Sequence, residues 1–319
     1  MATDLPSYDD LPEGHLGGRL GWYVFGEDDQ LGLVNLLTPE RRAHAAALVR
    51  RGVSFSLDLP LGYFTPPLNP ARGTPRHHVI DQPGGIGLDD VWDNLFPQAG
   101  SQWDSLAHIG YGRDVYYNGA TAETIKAEGR NGIDLWARHG IIGRGVVLDM
   151  VRSLAAAGRP YDPGATTEFG PAELEIAREF AGVELEAGDI ILLHTGFTGW
   201  YAEQPPDVRK AVPRALTAPG LAHTEEVCRY LWDAHVSAVA TDTFAVEAWP
   251  ADTSAEAAPF GFIHQVLIGS FGMALGELWD LSAVAADCAV DGVYEGMLVS
   301  TPTHARGGIS SSPNATFLK

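Results

Sequence analysis

Gln98, Gln102, Asp104 and His108 fall in the run Gln98-Ala-Gly-Ser-Gln102-Trp-Asp104-Ser-Leu-Ala-His108, at offsets of 4, 6 and 10 from the first. Each of these side chains can bind a metal ion or handle a proton. In an extended segment alternate side chains share a face, so even offsets direct all four the same way. Such a row of oxygen and nitrogen donors reads as the wall of an active site. The hydrolytic chemistry open to such donors is water activated by a metal or a base. Two of the four are carboxamides, which are weak, hard donors beside imidazole.

A second candidate pair lies far along the chain. His264 and Glu277 are 13 residues apart. On an unbroken helix that spacing puts them about 140° apart, on different faces. Gly269, Gly272 and Gly276 make an unbroken helix doubtful, because each interior glycine costs about 1 kcal/mol. On spacing alone His264 reads as a hydrogen-bonded core histidine and Glu277 as a surface charge. A bend or stop near Gly276 would bring them together.

The elements that must position these groups follow from periodicity. Thr38-Pro39 reads as an N-cap followed by proline at N1, opening a helix that ends near Gly52. Alternation in 53–59 predicts a strand. Residues 140–151 and 189–195 are apolar runs of the buried-strand type, and 237–241 is a third strand. Helices are expected from Pro171 to Ala181, from Thr224 through Trp232, and from His264 to about Leu275. Residues 290–301 have β character. Residues 60–100, rich in proline and glycine but carrying Tyr63, Phe64, Trp92 and Phe96, read as a long docked loop. Residues 1–38 lack periodicity and read as an arm or cap. Mixed strands and helices without an interdomain linker point to one α/β domain over 1–319.

Composition narrows the function. The 319 residues carry a formal charge of −20 and are 45% hydrophobic. A chain this acidic, with no basic cluster, excludes nucleic acid and anionic membranes as expected partners. Only Cys228 and Cys288 are present, which rules out a disulfide framework or a thiolate metal cage. No apolar run approaches the roughly 20 residues of a membrane span. The acidic N-terminus is not a signal peptide. The expectation is a soluble cytoplasmic protein acting on a small molecule. Dinucleotide, P-loop, nucleophile-elbow and HExxH signatures are all missing, which leaves water activated by a metal or base.

The chain resembles the cyclase family of metal-dependent hydrolases, which includes bacterial kynurenine formamidase and isatin hydrolase. The resemblance runs from LGLVNLLTPERR (31–42) through Gly188-Asp-Ile-Ile-Leu-Leu-His-Thr-Gly196, Pro219-Gly-Leu221, Thr241-Asp-Thr-Phe-Ala-Val-Glu247, the His264 segment and Glu277 to the C-terminal glycine loop. The family hallmark H-x-G-T-H-x-D-x-x-x-H is written here with Gln98 and Gln102 at the two histidine positions and Ser101 for threonine. Gly100, Asp104 and His108 match.

The resemblance implies a compact α/β domain of the swivelling β/β/α type, assembled as a homodimer or homotetramer. It implies a divalent ion, Mn or Zn with Mg admissible, held by Asp104, His264 and Glu277, and His108 as general acid/base. Amide or lactone hydrolysis is the implied reaction. Gln102 and Gln98 occupy ligand positions, and three outcomes stay open: one ion held in an oxygen-rich set, no ion and a non-catalytic binding or scaffold relative, or glutamines that hydrogen-bond a substrate. Trp103, Tyr63, Phe64, Phe244 and one of His77 and His78 are candidates for the substrate pocket; ordinary core packing is the plainer reading of the aromatics. His194, in an apolar strand, reads as a buried hydrogen-bonded histidine. Asp242 and Glu247 read as orienting groups or as strand-end charges.

Overall fold

A computed structural model describes residues 5–319. Its strands are β1 (Ser54–Ser56), β2 (Arg76–Asp81), β3 (Leu88–Asp93), β4 (Gln102–Asp104), β5 (Ile141–Asp149), β6 (Glu168–Phe169), β7 (Ile190–His194), β8 (Gly220–Leu221), β9 (Ala238–Thr241), β10 (Ala274–Glu277), β11 (Glu295–Ser300), β12 (Ser310–Ser311) and β13 (Ala315–Leu318). Nine of them form one sheet in the order β1-β13-β11-β5-β7-β9-β10-β4-β12. The centre, β5-β7-β9-β10, is parallel. The flanking strands are antiparallel. Parallel strands are covered on both faces, which is why β5, β7 and β9 are apolar without alternation. The expected strand spans 140–151, 189–195 and 237–241 correspond to these three.

Local signals placed several helices well. Thr38 caps Pro39–Ala47 by accepting from the Arg41 N–H, and Thr224 does the same for Glu225–Asp233 from Val227. The helix Pro171–Ala181 ends on Gly182 in the left-handed region at φ 66°. The stretch after His264 differs from expectation. It is helical only over His264–Leu267, turns at Gly269–Gly272, and returns as β10. Residues 60–100 also differ. Their centre is the hairpin β2–β3, closed by a turn through Gly84 and Gly85. Every residue of both strands is exposed, Trp92 included. With neither face buried, the hairpin lacks the alternation that would have announced it.

The described part of the N-terminal arm packs into the main core through Leu5, Tyr8, Leu11, Leu33, Val34, Leu36 and Leu37. It also grips the turn between the His264 helix and β10. Trp22 Nε1 donates to Gly269 O (2.8 Å), Gly21 N to Ser270 Oγ (3.3 Å) and Leu33 N to Gly272 O (2.9 Å). Gly32 and Gly272 meet back to back, and a Cβ on Gly32 would lie 2.0 Å from Gly272 O. No described helix is long and apolar enough to cross a membrane.

A polar cluster closes the carboxyl ends of the parallel strands. His194 Nδ1 lies 3.0 Å from Asp149 Oδ1, and Asp242 accepts from Thr195 N, Thr195 Oγ1 and Gly196 N. Burial alone would keep the His194 ring neutral. The Asp149 hydrogen bond and the Asp242 and Asp149 charges outweigh it and raise its pKa. The raised group stabilises the fold fully below its unfolded value of about 6.5, and that stabilisation drains away as pH rises towards the folded value. His194→Gln should therefore cost more stability near about pH 6 than near about pH 9, with a loss of roughly 3 kcal/mol at the lower pH. Urea midpoints at the two pH values measure this; equal losses would contradict a charged His194.

Gly276 on β10 offers a packing test. A Cβ there would come within 2.8 Å of both Ala240 Cβ and Trp279 Nε1. Gly276→Ala should cost about 1–3 kcal/mol by overpacking, read as a lowered unfolding midpoint.

Candidate metal centre

The centre is built on the antiparallel pair β4–β10, in which Gln102 faces Glu277 and Trp103 faces Gly276. Strand alternation puts Gln102, Asp104 and Glu277 on one face and Trp103 on the other. Trp103 is fully buried there, edge-on to Trp279 at 4.8 Å, with its indole N–H on Ser300 Oγ at 2.9 Å. Trp279 Nε1 in turn donates to Gln102 O at 2.9 Å. This tryptophan pair fixes the level of the donor strand. It also corrects the pocket assignment of Trp103, because the alternation that aligns Gln102 with Asp104 turns Trp103 away.

On the donor face, Gln102 Nε2 donates to Glu277 Oε2 (2.9 Å) and lies 3.4 Å from Asp104 Oδ2. Glu277 Oε1 is 3.0 Å from His264 Nε2. The other imidazole nitrogen, Nδ1, is 2.8 Å from Glu247 Oε1. Phe262 stacks on the His264 ring at 4.7 Å. Asp104, His264 and Glu277 each offer a ligand atom within 4.8 Å of the others. The turn at Gly269–Gly272 is what returns Glu277 to His264, and the arm holds that turn. Gln265 Nε2 donates to Tyr111 O (3.1 Å), tying the segment just after His108 to the His264 helix.

The electrostatics call for a cation. Burial, then the Glu277 charge, push the Asp104 carboxyl well above its usual range. Burial would depress His264, but Glu247 and Glu277 raise it well above its ordinary value. Glu277 itself is lowered: burial opposes its ionisation, and the His264 hydrogen bond and charge prevail. Three buried acceptors, Gln102 Oε1, Asp104 Oδ1 and Glu247 Oε2, have no hydrogen-bond partner. Unpaired buried acceptors cost free energy that a bound cation would recover. The residues present therefore fit a divalent ion held by Asp104, His264 and Glu277, with Gln102 Oε1 adjacent. Glu247 would then keep the Nδ1 proton of His264 and aim Nε2 at the ion.

His108 completes the site. The chain leaves β4 in a turn, with His108 N on Ser105 O at 3.0 Å, so His108 reaches Asp104 by turning and not along a strand. Its Nε2 is 3.8 Å from Asp104 Oδ1, and 21% of its side chain is exposed. Burial of the imidazole and the His264 charge bring its pKa down to about 4. His108 is neutral at pH 7.

The remaining sequence candidates are placed differently. Gln98 lies on the single turn Pro97–Ala99, outside the strand. No hydrogen bond ties its side chain to the donor cluster; its backbone carbonyl accepts from Arg72 Nη1. The expected row of four donors thus contracts to Gln102 and Asp104 on a strand and His108 on a turn. His78 is on the exposed hairpin, paired with Asp93 at 3.0 Å, and His77 pairs with Asp90 at 2.9 Å. The structure brings neither to the site. Phe64 and Phe244 are buried in a second cluster with Phe197, Tyr201 and Leu278, and Tyr63 packs on its edge. Leu278 follows Glu277, so this cluster packs directly beside the site. Glu247, an open reading in the sequence, is a direct partner of His264. Arg72, whose charge acts on Asp104, His108 and Glu277, is a lone arginine in a proline-rich loop and carries no sequence signal.

The Cyclase family model, described as "putative cyclase", matches residues 57–248, more than half of the chain. The chain belongs to this family. The matched span holds Gln102, Asp104, His108 and Glu247. A crystal structure described as a novel cyclase superposes with a TM-score of 0.83 at 29% identity, covering 99% of this chain and 100% of that one. Isatin hydrolase A from Labrenzia aggregata, bound to benzyl benzoate, gives 0.59 at 17% identity over 86% of this chain and 95% of its own. An isatin hydrolase bound to the product analogue thioisatinate gives 0.57 at 17% over 83% and 92%. These two share the fold. No curated protein matches the chain.

Adding Mn²⁺ or Zn²⁺ should raise the unfolding midpoint of this cyclase-family protein, by roughly the 2.7 kcal/mol that 100-fold saturation provides. Asp104→Asn should abolish that rise. Full metal occupancy in the variant, counted by elemental analysis, would remove Asp104 from the ligand set.

Proposed function

We propose that this protein is a metal-dependent hydrolase that opens an amide or lactone bond of a small carbonyl compound. The observation that carries the reading is the unpartnered, buried Asp104 Oδ1, which lies beside His264 and Glu277 and 3.8 Å from His108 Nε2. One divalent ion in this set would lower the pKa of a bound water and polarise the substrate carbonyl. The oxygen-rich donors suit Mn²⁺ or Mg²⁺ and accommodate Zn²⁺.

The chain's own residues divide the remaining work. Asp104 and Glu277 supply negative charge, and Gln102 restrains both through its amide N–H groups. Glu247 fixes the tautomer of His264. Neutral His108 takes a proton from water. With a pKa of about 4 it gives that proton up readily. The receiver is the leaving nitrogen or oxygen, and its protonation completes bond cleavage.

A second reading has one observation behind it. Gln102 and His264 already satisfy both oxygens of Glu277 without a metal. A metal-free binding relative would keep that arrangement. Metal counted on purified protein separates the readings: about one ion per chain supports the hydrolase, and none after Mn²⁺ or Zn²⁺ addition supports the binding protein.

His108→Ala should lose about 10²–10⁴-fold in turnover while retaining its metal. Unchanged kcat in that variant would end the assignment of His108 as the proton carrier.

A further inference from the structure

Among the described residues, Arg72 is the arginine whose charge acts on Asp104, His108 and Glu277, and nothing described so far gives it a task. It sits at the end of the loop that follows Leu59. That loop is held in place. Ser101 Oγ accepts from Leu59 N (2.8 Å) and donates to Leu278 O (2.6 Å), so a single hydroxyl joins the loop, β4 and the end of β10. Phe64 and Leu68 are buried in the aromatic cluster with Leu278. Asn69 closes the last turn, with Arg72 N on its carbonyl at 3.0 Å and Ala71 N on its side chain at 3.0 Å. Arg72 is thus presented by a fixed backbone next to the donor strand.

The guanidinium is mostly unused. Nη1 donates to Gln98 O, just before β4. Among the described residues it makes no other hydrogen bond, and no carboxylate lies within ion-pair distance. An arginine carries five N–H donors in a rigid fork shaped for a carboxylate. Burial is the largest influence on Asp104, His108 and Glu277, but the Arg72 charge acts on all three. Anchored on Gln98 O, four residues before Gln102, it stands beside these groups without being paired to any of them.

The charge balance makes the vacancy meaningful. Asp104 and Glu277 would face the ion and Glu247 lies behind His264, so three carboxylates would surround one divalent charge in a chain of charge −20. An anionic substrate is repelled from such a site unless a cation meets it, and a dianionic phosphate more strongly than a carboxylate. A neutral substrate would leave the Arg72 fork unsatisfied against the pocket.

We infer that Arg72 is a substrate-binding residue, and that the substrate carries a carboxylate close to the carbonyl that is attacked. This rests on the hydrolase reading for the identity of the reacting carbonyl, but not for the binding itself. The Gln98 carbonyl holds one N–H edge of the guanidinium, and the free edge receives the carboxylate bidentately. The fork then orients the acid so that the neighbouring carbonyl lies over Asp104 and His108.

Benzoate and benzamide are a matched pair of probes, differing in charge but hardly in shape. Titration calorimetry on the full chain, with and without added Mn²⁺, should show benzoate binding about 10-fold or more tightly than benzamide. Arg72→Gln should bring the two to parity. Arg72→Lys, keeping the charge but not the fork, should retain only part of the preference. Equal binding of the two probes by the wild type, or no benzoate binding at about 10 mM, overturns the inference. So does a preference that survives in Arg72→Gln, which would place the carboxylate on the metal. If Arg72→Gln does not fold, Arg72→Lys decides: an undiminished preference overturns the proposal. Metal content of the same samples judges the hydrolase reading separately, because benzoate selectivity without bound metal leaves Arg72 its role and removes the hydrolysis.

Discussion

Three carboxylates, Asp104, Glu247 and Glu277, are buried around one imidazole, and the rest of the structure is arranged to make that tolerable. Burying an ionised carboxylate without compensation costs several kcal/mol. Here His264 answers two of the three, Gln102 donates to Glu277 and approaches Asp104, and Asp104 Oδ1 and Glu247 Oε2 are left without a hydrogen-bond partner. A cluster held like this is poor as a stabilising feature. It makes sense as a preformed cation site whose donors must not collapse onto each other.

Holding the donors apart requires rigidity behind them, and the sheet provides it. β10 lies between β9 and β4, with the edge-on pair Trp103–Trp279 locking the far face. The two segments that carry His264 and Glu277 are joined by a glycine turn that could not hold a position alone. The N-terminal arm pins that turn by hydrogen bonds at Gly269, Ser270 and Gly272 and by the close approach of Gly32 to Gly272. The arm is thus remote from the chemistry in sequence but acts on the spacing of two proposed ligands.

Legibility in the sequence followed the range of the signal. β5, β7 and β9 were readable because burial on both faces writes a continuous apolar run, and the caps at Thr38 and Thr224 because they are local hydrogen-bond chemistry. Asp104, His108, His264 and Glu277 were readable as candidates through the family resemblance. Their convergence was not, because it depends on a turn fixed by the distant arm. Gln98 was misplaced by assuming one extended segment where the chain is a helical turn, a strand and another turn. Trp103 was assigned to the pocket against the logic already in use: if Gln102 and Asp104 share a face, Trp103 cannot. The hairpin β2–β3 and the role of Arg72 had no local signature, since exposure erases alternation and a single arginine has no period.

Gln102 shapes how the carboxylates of this site are held. Carboxamide and neutral imidazole carry the same charge, so the exchange at this position leaves the charge balance alone. What changes is where the donor hydrogens go. The Gln102 amide spends one N–H on Glu277 Oε2, and His264 Nε2 lies against Oε1. Both Glu277 oxygens are thus engaged while no ion is bound, and ligation through His264 Nε2 would release Oε1. Asp104 Oδ1 and Gln102 Oε1 are the unpartnered donors on this face. Two hard oxygens beside a histidine and a glutamate make a donor set that fits a divalent cation. An imidazole in place of Gln102 could not both ligate and clamp Glu277 in this way, because its second nitrogen points away from the first. The glutamine thus acts as a clamp that holds Asp104 and Glu277 in register against their mutual repulsion.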